Sequence, residues 1–281
     1  MSNTESFLIW GSIYLYSIIT IILLVAFIFN KEKLLNLTTY LLAPAFIAHS
    51  IVFFMRWQMT GYFPANGEYE NGITSGWFAI MLTLYVFFRK KGLRGVALVS
   101  VPFTLLFLGY GIMVNPGGQP HSAALKSSWL IIHVLFAQLA YGAYLIACGL
   151  GLVYILKDNK IRKGAESSFY SRFPALPLID ETMFKFVVFG FIADAIMIAA
   201  GSIWAKELWG SYWSWDPVEV WSLVTWLIYG LTIHLRAAFG WKGRRIAWIL
   251  IFAILGIIIA YWGVDLVVKN TQHVFGVRSG V

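Results

Sequence analysis

Long apolar runs alternate with short polar connections along almost the whole chain. A helix that crosses a bilayer needs about 20 apolar residues. Runs near that length occupy about 7–29, 37–57, 73–88, 95–114, 129–156, 184–205, 218–235 and 247–268. The third is the shortest. The pattern predicts an all-α, polytopic membrane helix bundle of about eight transmembrane helices, forming one integral membrane domain over 1–281. An even number of crossings puts both termini on one side. The first run exceeds the 7–15-residue apolar core of a signal peptide and has no basic region before it, so it reads as a span and not a cleavable leader.

Basic residues then orient the bundle. Lys31 and Lys33, Arg89 to Arg94, Lys157 to Arg172, and Arg236 to Arg245 fill every second connection, whereas the alternate connections hold only Arg56, Lys126, Lys206, Lys269 and Arg278. Basic loops stay on the cytoplasmic side, so both termini are expected on the outer face. Composition agrees: the chain is 59% hydrophobic and 12% charged, against about 25% charged in soluble domains. A formal charge of +8 follows from this loop asymmetry and needs no nucleic-acid partner. Cys148 is the only cysteine and lies in an apolar run, which excludes disulfides and argues against a thiol nucleophile.

Four segments should form the outer face. They are 56–72, a turn-prone stretch carrying Glu68 and Glu70, the Gly/Pro-rich stretch 115–128, the tail from 269, and the segment 204–234. The last of these holds six tryptophans, two tyrosines, three carboxylates and a terminal histidine. Interfacial belts account for some of those rings. They do not account for the interrupted run around Asp216 and Pro217 with Glu219 one turn on, which reads as a platform for a flat ligand.

Topology also sorts the five histidines. His133 lies about four residues, or about 6 Å, inside its span from the outer end, and His273 follows the last span. Both flank the tryptophan segment, and imidazole is a common metal ligand. His234 sits about 24 Å below the outer surface and His49 about 12 Å, so the two do not match in depth as axial ligands of one iron. His49 and His121 read as structural histidines. Asp194 and Asp265 fall within apolar runs; Asp265 is near enough to the outer surface to be hydrated, whereas Asp194 lies deeper, where a carboxyl is neutral, hydrogen-bonded or part of a proton path. Asp216 before Pro217 suits a helix N-cap, a role compatible with one toward substrate. Arg56 is placed either to meet an anionic group of a ligand or to anchor its helix.

The string WGSYWSWDPVEVWSLVTWLIYGLTIHLR, preceded by GSIWA and followed by GWKGRR and YWGVDL, closely resembles the tryptophan-rich WWD domain of the CcsA/ResC family of cytochrome c synthesis (system II) proteins, members of the heme-handling protein superfamily. RWQMTGYFPANGEYE and SSWLIIHV are similar to other outward segments of that family. The resemblance implies a heme transporter and holocytochrome c synthase, or heme lyase. It would work with a CcsB/ResB partner in a bacterial inner membrane or a thylakoid membrane, with the outward domain at 204–226. It implies that heme b is held by His133 and His273 outside and by His234 within the membrane, where the partner supplies the second histidine. Trp209, Trp213, Trp215 and Trp221 would contact the porphyrin and Arg56 a propionate. His133, His273 and Asp216 would serve attachment to the Cys-x-x-Cys-His segment of an apocytochrome c. The chain departs from the family pattern at Val218, Val220 and Asp265, and around His273, which reads TQHVFG. Two alternatives use the same features: a b-type cytochrome subunit for quinol-linked electron transfer, and a membrane scaffold whose tryptophans only enlarge an interfacial belt.

Overall fold

In the computed structural model, residues 2–65, 67–114, 127–164 and 168–263 are described. They form α1 (Asn3–Ile28), α2 (Glu32–Thr60), α3 (Gly67–Arg89), a 3-10 segment (Lys91–Val96), α4 (Ala97–Val114), α5 (Ser128–Arg162), the short α6 (Ser168–Ser171), α7 (Leu176–Trp209), α8 (Pro217–Phe239) and α9 (Arg244–Ile258), which ends in a π turn (Ile259–Gly263). Eight of these helices are long and apolar enough to cross a membrane, as the hydropathy pattern predicts. The chain is a multi-pass membrane protein. His121, Asp265 and His273 lie outside the described residues.

α5 is the central helix, flanked by α3, α4, α7 and α9. Small residues make this possible. A Cβ built on Gly149 would stand 2.8 Å from the Val96 carbonyl, and one on Gly151 would stand 3.1 Å from the Ala247 carbonyl. Membrane helices approach most closely where such residues replace bulky ones. α8 lies at the periphery, against α7 and α9, and leaves Leu227 and Leu231 facing outward.

Several helices run past the predicted spans into polar sequence. α7 begins at Leu176, and its Asp180 accepts from Arg236 at 3.0 Å and from the Gly243 amide at 2.7 Å. α5 ends at Arg162, where Asp158 pairs with Arg162 at 2.9 Å and Arg244 at 2.8 Å. The basic end of the bundle is therefore laced with acidic partners. The stretch 56–72 also differs from the turn-prone course expected of it. α2 continues to Thr60, and Glu68 and Glu70 stand in the first turn of α3, where carboxylates complement the free amides and the positive end of the helix dipole.

Candidate functional site

At the end of the bundle that carries the tryptophan segment, a cavity of about 270 Å³ opens between α3, α5, α7, α8 and the π turn after α9. Its wall is aromatic and polar, and includes His133, Trp204, Tyr212, Trp213, Glu219 and Tyr261.

His133 is held by α7. Its Nδ1 lies 2.9 Å from the Met197 carbonyl. A carbonyl only accepts, so Nδ1 carries the proton and Nε2 the lone pair. The ring lies directly on Gly201, where an added Cβ would stand 2.5 Å from Nδ1 and 2.9 Å from Cε1. Trp204 stacks beside it at 6.3 Å and 24°. An imidazole whose N–H is fixed by a backbone carbonyl has the usual support of a metal-ligating histidine. With aromatic surface around it, the cavity fits one axial ligand of an iron porphyrin.

The tryptophan segment is shaped by carboxylates. Oε2 of Glu219 accepts from the Ser214 amide at 2.8 Å, the Ser214 hydroxyl at 3.2 Å and the Asp216 amide at 3.2 Å. Asp216 caps α8 through its Oδ1, 2.9 Å from the Val218 amide, which completes a capping box with Pro217 at the first helical position. Between them Trp215 adopts a left-handed backbone, φ 60°, and its side chain is 72% exposed. This conformation is uncommon for a bulky residue and persists where the surroundings over-determine it, as the bonds to Glu219 do here. Asp216, expected among the reacting groups, thus has the capping role that its place before Pro217 suggested.

The remaining aromatic expectations divide. Trp213 lines the cavity. Trp215 meets Trp213 edge-on at 5.9 Å, and Trp209 meets Trp204 at 5.4 Å, so both touch a lining ring without lining the cavity themselves. Trp221 is half-buried on α8, outside the lining. Trp204 and Tyr212, to which the sequence assigned no contact with the porphyrin, line the cavity instead.

Arg56 is 6% exposed, with its guanidinium 2.7 Å from Glu70 and 3.6 Å from Glu5. Glu5 also accepts from the Tyr69 hydroxyl at 2.9 Å. This buried cluster ties α1, α2 and α3 together. Arg56 thus anchors its helix, the second of the two roles its position suggested.

His49 is fully buried, with Nε2 2.9 Å from the Ile73 carbonyl and Nδ1 3.3 Å from the Tyr16 hydroxyl. Both ring nitrogens are engaged, so it is a structural histidine. His234 is exposed on α8, meets Phe239 edge-on at 5.9 Å, and makes no hydrogen bond among the described residues. Asp194 is fully buried in α7 and accepts from the Tyr144 hydroxyl at 3.1 Å, while its Oδ1 has no hydrogen-bond partner.

The family profile described as "Cytochrome C assembly protein" matches residues 6–271. The chain is 30% identical over 251 residues to the cytochrome c biogenesis protein CcsA of Guillardia theta, covering 83% of each chain. It is 30% identical over 266 residues to CcsA of Trieres chinensis, covering 83% of this chain and 85% of that one. Among solved structures, the fold is similar to that of "Cytochrome c Heme Lyase CcmF", with a TM-score of 0.69 and 15% identity. That alignment covers 93% of this chain, which spans 47% of the CcmF chain.

Proposed function

This chain belongs to the cytochrome C assembly protein family, and on that premise we propose that it exports heme and presents it for covalent attachment to an apocytochrome c. His133 supplies one axial nitrogen through Nε2, and His273 supplies the other. Trp204 and Trp213 bound the porphyrin faces and exclude water, while Glu219 and Asp216 hold the tryptophan loop in shape. The substrate heme contributes two vinyl groups, and the S–H bond of each apocytochrome cysteine adds across one of them to leave a thioether. The chain itself positions the reacting groups, a role that can supply several kcal/mol of barrier lowering. His234 holds heme on its way outward together with a histidine of a CcsB/ResB-like partner, in a bacterial inner membrane or a thylakoid membrane, with the cavity facing away from the cytoplasm.

The observation that carries this reading is the fixed tautomer of His133 in an aromatic cavity. The b-type cytochrome alternative is disfavoured, because His49, the other histidine buried among the spans, has both nitrogens in hydrogen bonds. The test is to purify the chain with its partner and record absorption spectra for wild type, His133→Ala, His273→Ala and His234→Ala. The expected result is heme loss or a changed spectrum in each variant, with added imidazole restoring the His133→Ala spectrum. Wild-type heme content in all three variants would sink the assignment.

A further inference from the structure

At the opposite, basic end of the bundle a second cavity, of about 490 Å³, lies between α3 and α7. Both helices pack on α5, and the cleft opens where they diverge. Val86, Phe186 and Phe189 form its apolar walls, and Arg89, Lys90 and Lys185 stand at its polar rim. Its flank faces outward from the bundle: Tyr85 is 53% exposed, Phe189 45% and Phe88 82%. In a membrane-spanning chain that flank meets lipid. Lys90 Nζ donates to Thr182 Oγ1 at 2.9 Å and so bridges α3 to α7 across the cleft. Arg89 lies over the Tyr85 ring at 6.0 Å, and Lys185 pairs with Glu181 at 2.6 Å. Three cations thus face one carboxylate around a greasy slot that opens sideways.

We propose that this cleft is a binding site for an anionic phospholipid, with the headgroup phosphate between Arg89, Lys90 and Lys185 and an acyl chain along Val86, Phe186 and Phe189. Three arguments support it. A basic excess by itself is ordinary at this end of a membrane protein, but a basic rim on an inter-helix cavity is the arrangement that binds anionic headgroups. The slot's apolar walls belong to α3 and α7, both long and apolar enough to cross a membrane, and its volume falls in the range of small-molecule sites. Its lining contains no histidine, methionine or cysteine to ligate an iron, so a porphyrin, although also anionic and flat, would be poorly held. The phosphate would also bridge α3 and α7, adding to the Lys90–Thr182 contact.

Native mass spectrometry of the full chain in detergent, with phosphatidylglycerol and phosphatidylcholine of equal chain length, tests the site. The wild type should retain one phosphatidylglycerol at least tenfold more strongly than phosphatidylcholine. Arg89→Gln/Lys185→Gln should abolish that preference, because both side chains are exposed and their replacement leaves the Lys90–Thr182 bond intact. Arg89→Lys/Lys185→Arg should retain it. Equal retention of the two lipids by the wild type would overturn the proposal, as would an unchanged preference in the glutamine variant. Displacement of the bound lipid by stoichiometric hemin would also overturn it, in favour of a heme site.

Discussion

Replacing Gly201 with alanine sets a methyl group against the ring of His133. The added Cβ would lie 2.5 Å from Nδ1 and 2.9 Å from Cε1, where ordinary contact begins at 3.4 Å. The ring must therefore retreat by roughly 1 Å toward the cavity it lines, or the backbone of α7 must give way. Retreat lengthens or tilts the 2.9 Å bond from Nδ1 to Met197, and with it the orientation of Nε2 toward the cavity. Overpacking of this kind typically destabilises by about 1–3 kcal/mol. Losing a partner that fixes a ligand's tautomer lowers metal affinity by about 10–100-fold. Gly201→Ala should thus keep its fold with a lowered Tm while its heme content falls and its absorption spectrum shifts.

The control is Gly190→Ala. Its Cβ would stand 2.5 Å from Tyr144 Cε1, so the steric insult is equal, but Tyr144 is not in the cavity wall. It should lose comparable stability and keep the wild-type heme spectrum. If folded Gly201→Ala carries heme with wild-type affinity and spectrum, the link between the Met197 bond and iron ligation is wrong. If Gly190→Ala loses heme to the same degree, the loss reflects general loosening of the bundle.

Three further outcomes are expected. Asp216→Ala should destabilise by about 1 kcal/mol through loss of the α8 cap, and Asp216→Asn, a competent cap, should restore both stability and heme attachment; a stable Asp216→Asn chain that cannot attach heme would return the carboxylate to the chemistry. Arg56→Ala strands Glu5 and Glu70 without their cation and should cost about 3–5 kcal/mol in thermal or denaturant unfolding, with the heme spectrum of the folded fraction unchanged; a stable variant with altered heme would revive the propionate contact. Glu219→Ala removes the acceptor that holds the Ser214 and Asp216 amides, and because water replaces it in part at this exposed loop the cost should be about 0.5–1.5 kcal/mol, with faster proteolysis within 210–216, whereas Glu219→Gln, whose amide oxygen still accepts, should resist it.

The number of spans was legible because every buried backbone group in lipid must be bonded within its helix, which makes apolar length a direct record of crossings. Helix ends were less so. Asp180 and Arg236, 56 residues apart, extend α7 and α8 beyond their apolar runs through a contact that no local pattern announces. The same limit hid Glu5, which reads as a terminal residue until α1 brings it to Arg56. The DPVE sequence, in contrast, carries its own geometry: a cap, a proline at the first helical position and a reciprocal carboxylate three residues on. The place of His133 near the start of its helix, beside the tryptophan segment, was legible from the apolar runs. Its tautomer was not, because that is set by a carbonyl on another helix, 64 residues away. Nor was the exchange of Trp209 for Trp204 in the lining, since the faces of α7 are decided by what packs against them.

The two described histidines that the proposal assigns to heme differ in what the chain does for them, and the difference separates their proposed tasks. His133 has its proton placed by Met197, its ring plane set by Gly201 and Trp204, and a cavity in front of it. An iron bound there meets a ligand whose geometry was fixed before binding. His234 is exposed on α8 and, among the described residues, meets the edge of Phe239. A histidine ligand needs its second nitrogen oriented and an iron of this kind takes a nitrogen from each face. Among the described residues neither is offered to His234. On the proposed reading, what completes the His234 site comes from across the α8 surface, so that an interface would form the inner station, whereas this chain itself would supply the His133 side of the outer one.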